Sequence, residues 1–290
     1  MGGGPTGLNN PAGIIGTLSA KALVNEVCAT PKPGLVDMEN SGAHSDMDLG
    51  TFLHSAQALM PYLIELAQAG YLWRGSSSEL FPNLRRIGQR AEEAMLLATG
   101  GVNTHKGAVF SVGLVCAAGG LFYRQNGHLS AEGVLQLCGE IAGKALAEDF
   151  KRMNHRIPHT HGEIIYATFG VRGIRGEAAE GFPSVRNISL PQFRQLRRKG
   201  VRLNEAMVQT LLHLIAEVLD TNVLYRVGPD MLDWAQERAR EVLERGGILD
   251  ENGYGRLVEL DREFTVRNIS PGGCADLLSV TFLTDALEQI

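Results

Sequence analysis

The chain has 290 residues, 44% of them hydrophobic and 20% charged, a composition able to bury a substantial core. Its formal net charge is −5 with no face-wide basic excess, which argues against a nucleic-acid partner. An anionic substrate would have to be met by a local cluster of basic groups or by a metal.

Residues 1–12 are rich in Gly and Asn and lack the basic-then-apolar pattern of a secretory leader, so they read as a flexible lead-in. Helical periodicity then begins. Ile14, Leu18, Ala22 and Glu26 share one stripe, joined by Ile15, Leu23 and Val27, and Pro31 and Pro33 close the element. Asp46 or Asp48 caps a second helix carrying Phe52, Leu53, Leu59 and Leu63, with a kink expected at Pro61 and a stop at Gly70. A third spans about 79–98 through Leu84, Ile87, Ala91 and Met95, and Gly100 and Gly101 end it. The apolar run at 109–123 is too short for a bilayer core of roughly 30 Å and reads as a helix buried on all sides. Ser130 caps the next helix. Residues 151–203 are less regular, and 171–190 read as the longest functional loop. Asn204 caps a long apolar helix through about Tyr225, Pro229 opens one that ends at Gly246 and Gly247, another covers about 255–267, and a last one follows Ser270 and Pro271. Strand alternation is absent, so the expectation is one all-α domain of about ten helices. Cys28, Cys116, Cys138 and Cys274 form no C-x-x-C pair and read as reduced thiols of a cytoplasmic protein.

Five polar or Gly-rich segments interrupt this pattern at helix boundaries. TPKPGLVD (30–37), followed by Asn40, His44 and Asp46, is a rigid turn that could aim Lys32 at phosphate and Asp37 at a metal, or serve as a plain interhelix loop. The inward carboxylate of Glu26 just before it needs a partner or a shifted pKa. GGVNTHKG (100–107) heads the most apolar helix, where backbone N–H groups and Lys106 suit an anion. It lacks the P-loop spacing. Residues 170–183 set Arg172 and Arg175 among glycines, in the manner of a mobile loop closing over phosphates, with Glu177 beside them as a ligand or base. Asp220-Thr221-Asn222 with Arg226 places a costly carboxylate in an apolar stretch. NISPGGCADLL (268–278) starts a helix, with Ser270, Pro271 and Asp276 all open to a purely structural account. His155, His159 and His161 fit no zinc spacing and read as surface histidines, and the basic run 194–202 as a solvated helix face.

Together and in order, these segments resemble the triphosphoribosyl-dephospho-CoA synthase family, which makes the prosthetic-group precursor of citrate lyase and malonate decarboxylase. The matching stretches are TPKPGLVD with N-x-GAH-x-DM (30–47), GGVNTHKG (100–107), RGEA with GFP (175–183), DTN with Arg226 (220–226) and NISPGGCADLL (268–278). Cys274, where a serine is expected, and Val227, in place of a glycine pair, depart from the pattern. The resemblance implies transfer of the triphosphoribosyl group of ATP to 3′-dephospho-CoA with loss of adenine, by inversion at the ribose C1. Such a step needs a base, an acid toward adenine and a clamp for the triphosphate. On that implication Glu177 is the base, His105 the acid, and Asp37, Asp220 and Asp276 hold Mg²⁺ on the triphosphate. Lys32, Lys106, Arg175 and Arg226 neutralise phosphates, while Gly34, Asn40, His44, Asn103, Thr104, Asn222 and Ser270 complete the substrate contacts. The resemblance also implies a downstream transferase that loads the group onto an acyl-carrier subunit; oligomeric state is left open, and no membrane is expected.

Two other readings stand beside this one. A Mg²⁺-dependent helical nucleotide or ADP-ribose hydrolase would use the same groups with water as acceptor. A helical binding or scaffold protein would use the glycines as turns only, and would gain no stability from ATP, whereas a ligand at 100 times its Kd adds about 2.7 kcal/mol.

Overall fold

The apolar stripes fold as the 3.6-residue period requires, and the helices bury them against one another. The computed structural model describes residues 11–153 and 157–290. Among these there is no strand, and thirteen α-helices follow in order. The first five are α1 (Pro11–Cys28), α2 (Leu49–Leu72), α3 (Phe81–Ala98), α4 (Lys106–Asn126) and α5 (Ala131–Met153). Four shorter ones are α6 (His161–Phe169), α7 (Gly173–Ala179), α8 (Leu190–Arg198) and α9 (Leu203–Glu217). The last are α10 (Thr221–Val227), α11 (Pro229–Glu244), α12 (Gly253–Val266) and α13 (Gly272–Leu287). The all-α expectation therefore holds, with a few more helices than expected.

The centre is α4, against which α1, α2, α5 and α13 pack. By length and composition α4 is the one described helix able to cross a membrane, so the sequence reading of that run as too short is corrected. It is instead a core helix, with 72% of its most apolar 18-residue stretch buried inside the protein. Its contact with α2 is close because both helices put glycine at the crossing: a Cβ at Gly70 would lie 1.9 Å from the Ala117 carbonyl oxygen, and one at Gly120 2.1 Å from that of Ala67. Any side chain there would force the two backbones apart.

Four boundaries differ from expectation. Pro11 and Ala12 already belong to α1, and Ala12 is buried; residues 1–10 and His155 lie outside the described residues. α2 continues through Pro61 to Leu72. The 171–190 segment is not a loop, because it holds α7 and a π-helical turn at Val185–Ser189. Its glycines weaken local helix propensity, yet Gly176 and Ala178 are buried, and α7 packs on α5, where Gly139 and Gly143 leave room for the Ala179 carbonyl. Tertiary contact overrides propensity here. Finally, α9 stops at Glu217 and α10 starts anew, because Asp220 caps it. Asn204 caps nothing: its amide exchanges two hydrogen bonds with the Thr30 backbone.

Candidate active site

Three of the five polar segments are stitched together by side chains that bond backbone. Asp37 accepts from Thr30 Oγ1 (2.8 Å) and Lys32 N (2.9 Å) on one oxygen, and from Glu39 N (2.8 Å) and Asn40 N (3.0 Å) on the other. Asn40 donates to Asp261 Oδ2 (2.9 Å), whose partner oxygen accepts from Gly34 N (2.8 Å). Gly34, at φ 70°, lies against the 268–271 turn so tightly that a Cβ would sit 2.1 Å from the Ile269 carbonyl oxygen. Asp220 accepts from Asn222 N (2.8 Å) and Val223 N (3.2 Å) on Oδ1, and from Cys274 N (2.8 Å) on Oδ2, tying the start of α10 to the start of α13. Arg226 donates to the carbonyls of Ala43 (2.5 Å) and Asn268 (3.1 Å) and to the Asn268 side chain. His44 Nε2 meets Ser270 Oγ at 2.8 Å.

This seam borders two adjoining clefts. The first, of about 740 Å³, runs between α3, α4, the end of α5 and the α6–α7 region. The second, of about 650 Å³, lies between the 30–47 loop and the starts of α4, α10 and α13. Asn103, Lys106, Gly107, His161, Asn222 and Asp276 line both and form their common wall.

The electrostatics of that wall are unusual. Lys32 is 1% exposed, among the largest fully buried side chains, and pairs with Glu26. Burial raises the Glu26 pKa, and Lys32 opposes the rise. Burial, then the nearby Glu26 and Asp220 carboxylates, push Asp276 well above the usual carboxylate range. No hydrogen bond among the described residues offsets this, and Gly107 leaves the space the carboxylate occupies: a Cβ there would lie 1.9 Å from Asp276 Oδ2. His105 is 3% exposed and held down to about 3 by burial, then by the Lys32 charge, so its imidazole is neutral. Ser55 Oγ meets its Nδ1 at 2.7 Å, while Nε2 is buried without a partner on a side chain that lines the second cleft.

The structure thus gathers most of the predicted residues. Lys32, His44, Thr104, His105, Arg226 and Ser270 line the second cleft, and Arg175 the first. Asn40, Gly34 and Asp37 build the loop behind it. Two groups of predicted residues are placed otherwise than expected. Glu177 borders neither cleft; its carboxylate accepts from Ser184 N (3.1 Å) and Oγ (2.6 Å). Asp37 and Asp220 spend their oxygens on backbone N–H groups, and among the described residues no three acidic, His or Cys side chains converge on a metal position. The predicted trio with Asp276 therefore does not assemble.

Sequence reasoning missed Ser55 and the stacked pair of His161 and Tyr225, whose rings lie 3.6 Å apart at 17°. His161 was set aside with the surface histidines. The available signal was Tyr225 itself, an aromatic next to Arg226 and 40% exposed. The partner that the inward carboxylate of Glu26 requires is Lys32.

Comparison with known proteins agrees with this gathering of segments. Residues 13–290 match the model of the ATP:dephospho-CoA triphosphoribosyl transferase family. A probable 2-(5″-triphosphoribosyl)-3′-dephosphocoenzyme-A synthase of Photobacterium profundum is 42% identical over 282 residues, 96% of this chain and 88% of that one. The synthase of Escherichia fergusonii is 41% identical over 273 residues, 92% and 89% of the two chains. A probable synthase of Pseudomonas fluorescens is 41% identical over 272 residues, 94% and 90%. No solved structure matches the chain significantly. With its whole helical core and all five site segments inside the matched region, the chain belongs to the ATP:dephospho-CoA triphosphoribosyl transferase family.

Proposed function

We propose that this chain moves the 5-triphosphoribosyl group of ATP onto the ribose 2′-hydroxyl of 3′-dephospho-CoA and releases adenine. The observation that carries this reading is the pair of clefts with one common polar wall. Two nucleotides bound on either side of Asn103, Lys106, Asn222 and Asp276 bring an acceptor hydroxyl and a ribose C1 together there.

In the step, the O2′–C1 bond forms and the C1–N9 bond breaks; the hydroxyl proton goes to Asp276 and on to solvent, and the departing adenine takes up a proton from solvent at N9. Asp276 is the group suited to take the hydroxyl proton. Its raised pKa makes the ionised carboxylate a stronger base than an ordinary aspartate, and the missing side chain of Gly107 leaves room for it. The neutral His105 supplies a hydrogen bond from its unpartnered nitrogen rather than a full proton, oriented by Ser55. Lys32 and Lys106 meet negative charge from the spectator phosphates. Arg226 acts by fixing the 43–46 and 268–270 backbones. Mg²⁺ would enter this proposal as a companion of the triphosphate, held mainly by phosphate oxygens and water. Four free cysteines, three of them buried, suit a reducing compartment, and we place the reaction in the cytoplasm. The product would pass to a transferase that loads it onto an acyl-carrier subunit of citrate lyase or malonate decarboxylase.

The test is chromatography of the protein with ATP, Mg²⁺ and 3′-dephospho-CoA. Adenine release that requires dephospho-CoA, with an equimolar heavier CoA product, is the expected result. Adenine or phosphate release without the acceptor would replace the proposal with the hydrolase reading.

A further inference from the structure

The two clefts differ in chemistry, and so do the two substrates. ATP ends in a compact, highly charged triphosphate. Dephospho-CoA continues from its adenosine through a diphosphate into a long, uncharged pantetheine arm, in which apolar stretches alternate with two amides.

The first cleft is lined by large apolar side chains, including Leu84, Phe110, Leu114 and Phe150, among polar ones. Arginines edge it. Arg85 and Arg172 are paired with Asp149 and Glu180, while Arg175 makes no ion pair among the described residues. The second cleft carries the buried Lys32, with Glu26, His105 and Arg226 around it, and fewer large apolar side chains, among them Leu35, Val36, Met47 and Phe52. Apolar surface in a cleft with a guanidinium suits a chain that follows a diphosphate; nothing in the triphosphate of ATP would use it.

We propose that the first cleft is the acceptor subsite, holding the diphosphate of dephospho-CoA at Arg175 and its pantetheine arm along the apolar side chains, and that ATP enters through the second. The assignment rests on the transferase reading. It places the acceptor hydroxyl at Asn103 and Asp276 from one side and the ATP ribose from the other.

Gly88 gives a direct test. It lies on α3 in the lining of the first cleft, and a Cβ there meets nothing within 4 Å. Gly88→Leu therefore adds bulk to the cleft without removing any contact, and replacing a mid-helix glycine favours the helix. Gly88→Ala serves as the small control. In the adenine-release assay, Gly88→Leu should raise the KM for dephospho-CoA roughly 10-fold or more, the loss of one well-packed apolar segment. The KM for ATP should stay within 2-fold, and Gly88→Ala should raise the KM for dephospho-CoA less than Gly88→Leu does. Arg175→Ala should raise the same KM and not that of ATP. If Gly88→Leu raises the KM for ATP instead, or leaves both unchanged while adenine is still released, the cleft assignment is wrong and the transferase reading survives. If the parent protein releases no adenine with both substrates present, the transferase reading fails and takes the assignment with it.

Discussion

Two sets of carboxylates crowd one end of this helical core, and they behave differently. Asp37, Asp220 and Asp261 point at backbone N–H groups and hold loops and helix starts together. Glu26 and Asp276 sit a few side chains away in the cleft lining; burial raises both, as it does Asp220 and Asp261, but neither accepts a backbone amide and only Glu26 has a basic partner. The first set is satisfied and so is architectural. The second is left partly unsatisfied in a dry, charged place, the condition under which a carboxylate becomes useful for proton transfer. Residue type alone does not separate them; the number of amides each can reach does.

The largest effect expected from this contrast is at Asp276. Asp276→Asn should lower adenine release by ~10²–10⁴-fold, the usual contribution of a positioned base, while the fold remains. Stability should move the other way. A carboxylate raised in the folded state loses stability as pH rises through its folded pKa, so the variant should melt above the parent, by a margin that widens toward alkaline pH. Melting curves at several pH values check this. A drop in both activity and melting temperature would return Asp276 to the architectural set. Gly107→Ala should mimic the activity loss by displacing the carboxylate.

Next in size are the architectural members. Asp220→Ala removes the acceptor for three backbone amides and should cost about 1–3 kcal/mol of stability. Chemical denaturation measures it. The expectation sharpens the comparison because activity per folded molecule should fall through misplacement of Asn222 and the start of α13, with KM affected along with kcat. A loss confined to kcat, with stability unchanged, would move Asp220 into the catalytic set.

The sequence carried the helices well because their apolar stripes are long, and it carried the five segments because each breaks that periodicity with polar or Gly residues. It could not carry the division just described. Asp37, Asp220 and Asp276 all sit in motifs at helix boundaries, and only coordinates show that Asp220 reaches Cys274 N, 54 positions away, while Asp276 faces Gly107. The place of Glu177 was hidden for a related reason: the Gly-rich 171–190 stretch reads as a loop, yet Ala178 is buried and α7 packs on α5. Conversely, Glu26 was legible as an inward carboxylate because one polar residue on a helical stripe stands out, whereas its pairing with Lys32 depends on how the Pro-rich turn folds back.

A smaller effect tests whether His105 belongs with the buried, unsatisfied groups. Its pKa, held down to about 3, means that the unfolded chain binds a proton the folded one refuses. Stability from this source is full above pH 6.5 and is lost as pH falls toward 3. Between pH 6.5 and 5, where most carboxylates stay ionised, it should contribute up to about 1.4 kcal/mol per pH unit. His44 and His213 are also lowered, so the parent curve alone does not isolate it. The difference between parent and His105→Asn does: the variant's slope should be shallower by up to one proton. Parallel curves would mean that His105 is solvated in solution and free to act as an acid.

The smallest expected effect concerns the stacked rings of His161 and Tyr225, which border the common wall. Both substrates carry adenine, a flat ring that stacks on such a surface, and a stacked aromatic is worth about 0.5–1.5 kcal/mol beyond its buried area. Tyr225→Ala should therefore raise KM for one substrate by roughly 2–10-fold with kcat nearly unchanged. Tyr225→Phe, which keeps the ring, should match the parent. Which KM rises is informative in itself. Tyr225 lines only the second cleft and His161 lines both, so a change confined to ATP would set the purine of ATP on this pair and agree with the cleft assignment. A change confined to dephospho-CoA would put the acceptor's adenine there, across the wall from its pantetheine arm, and would require the acceptor to span both clefts.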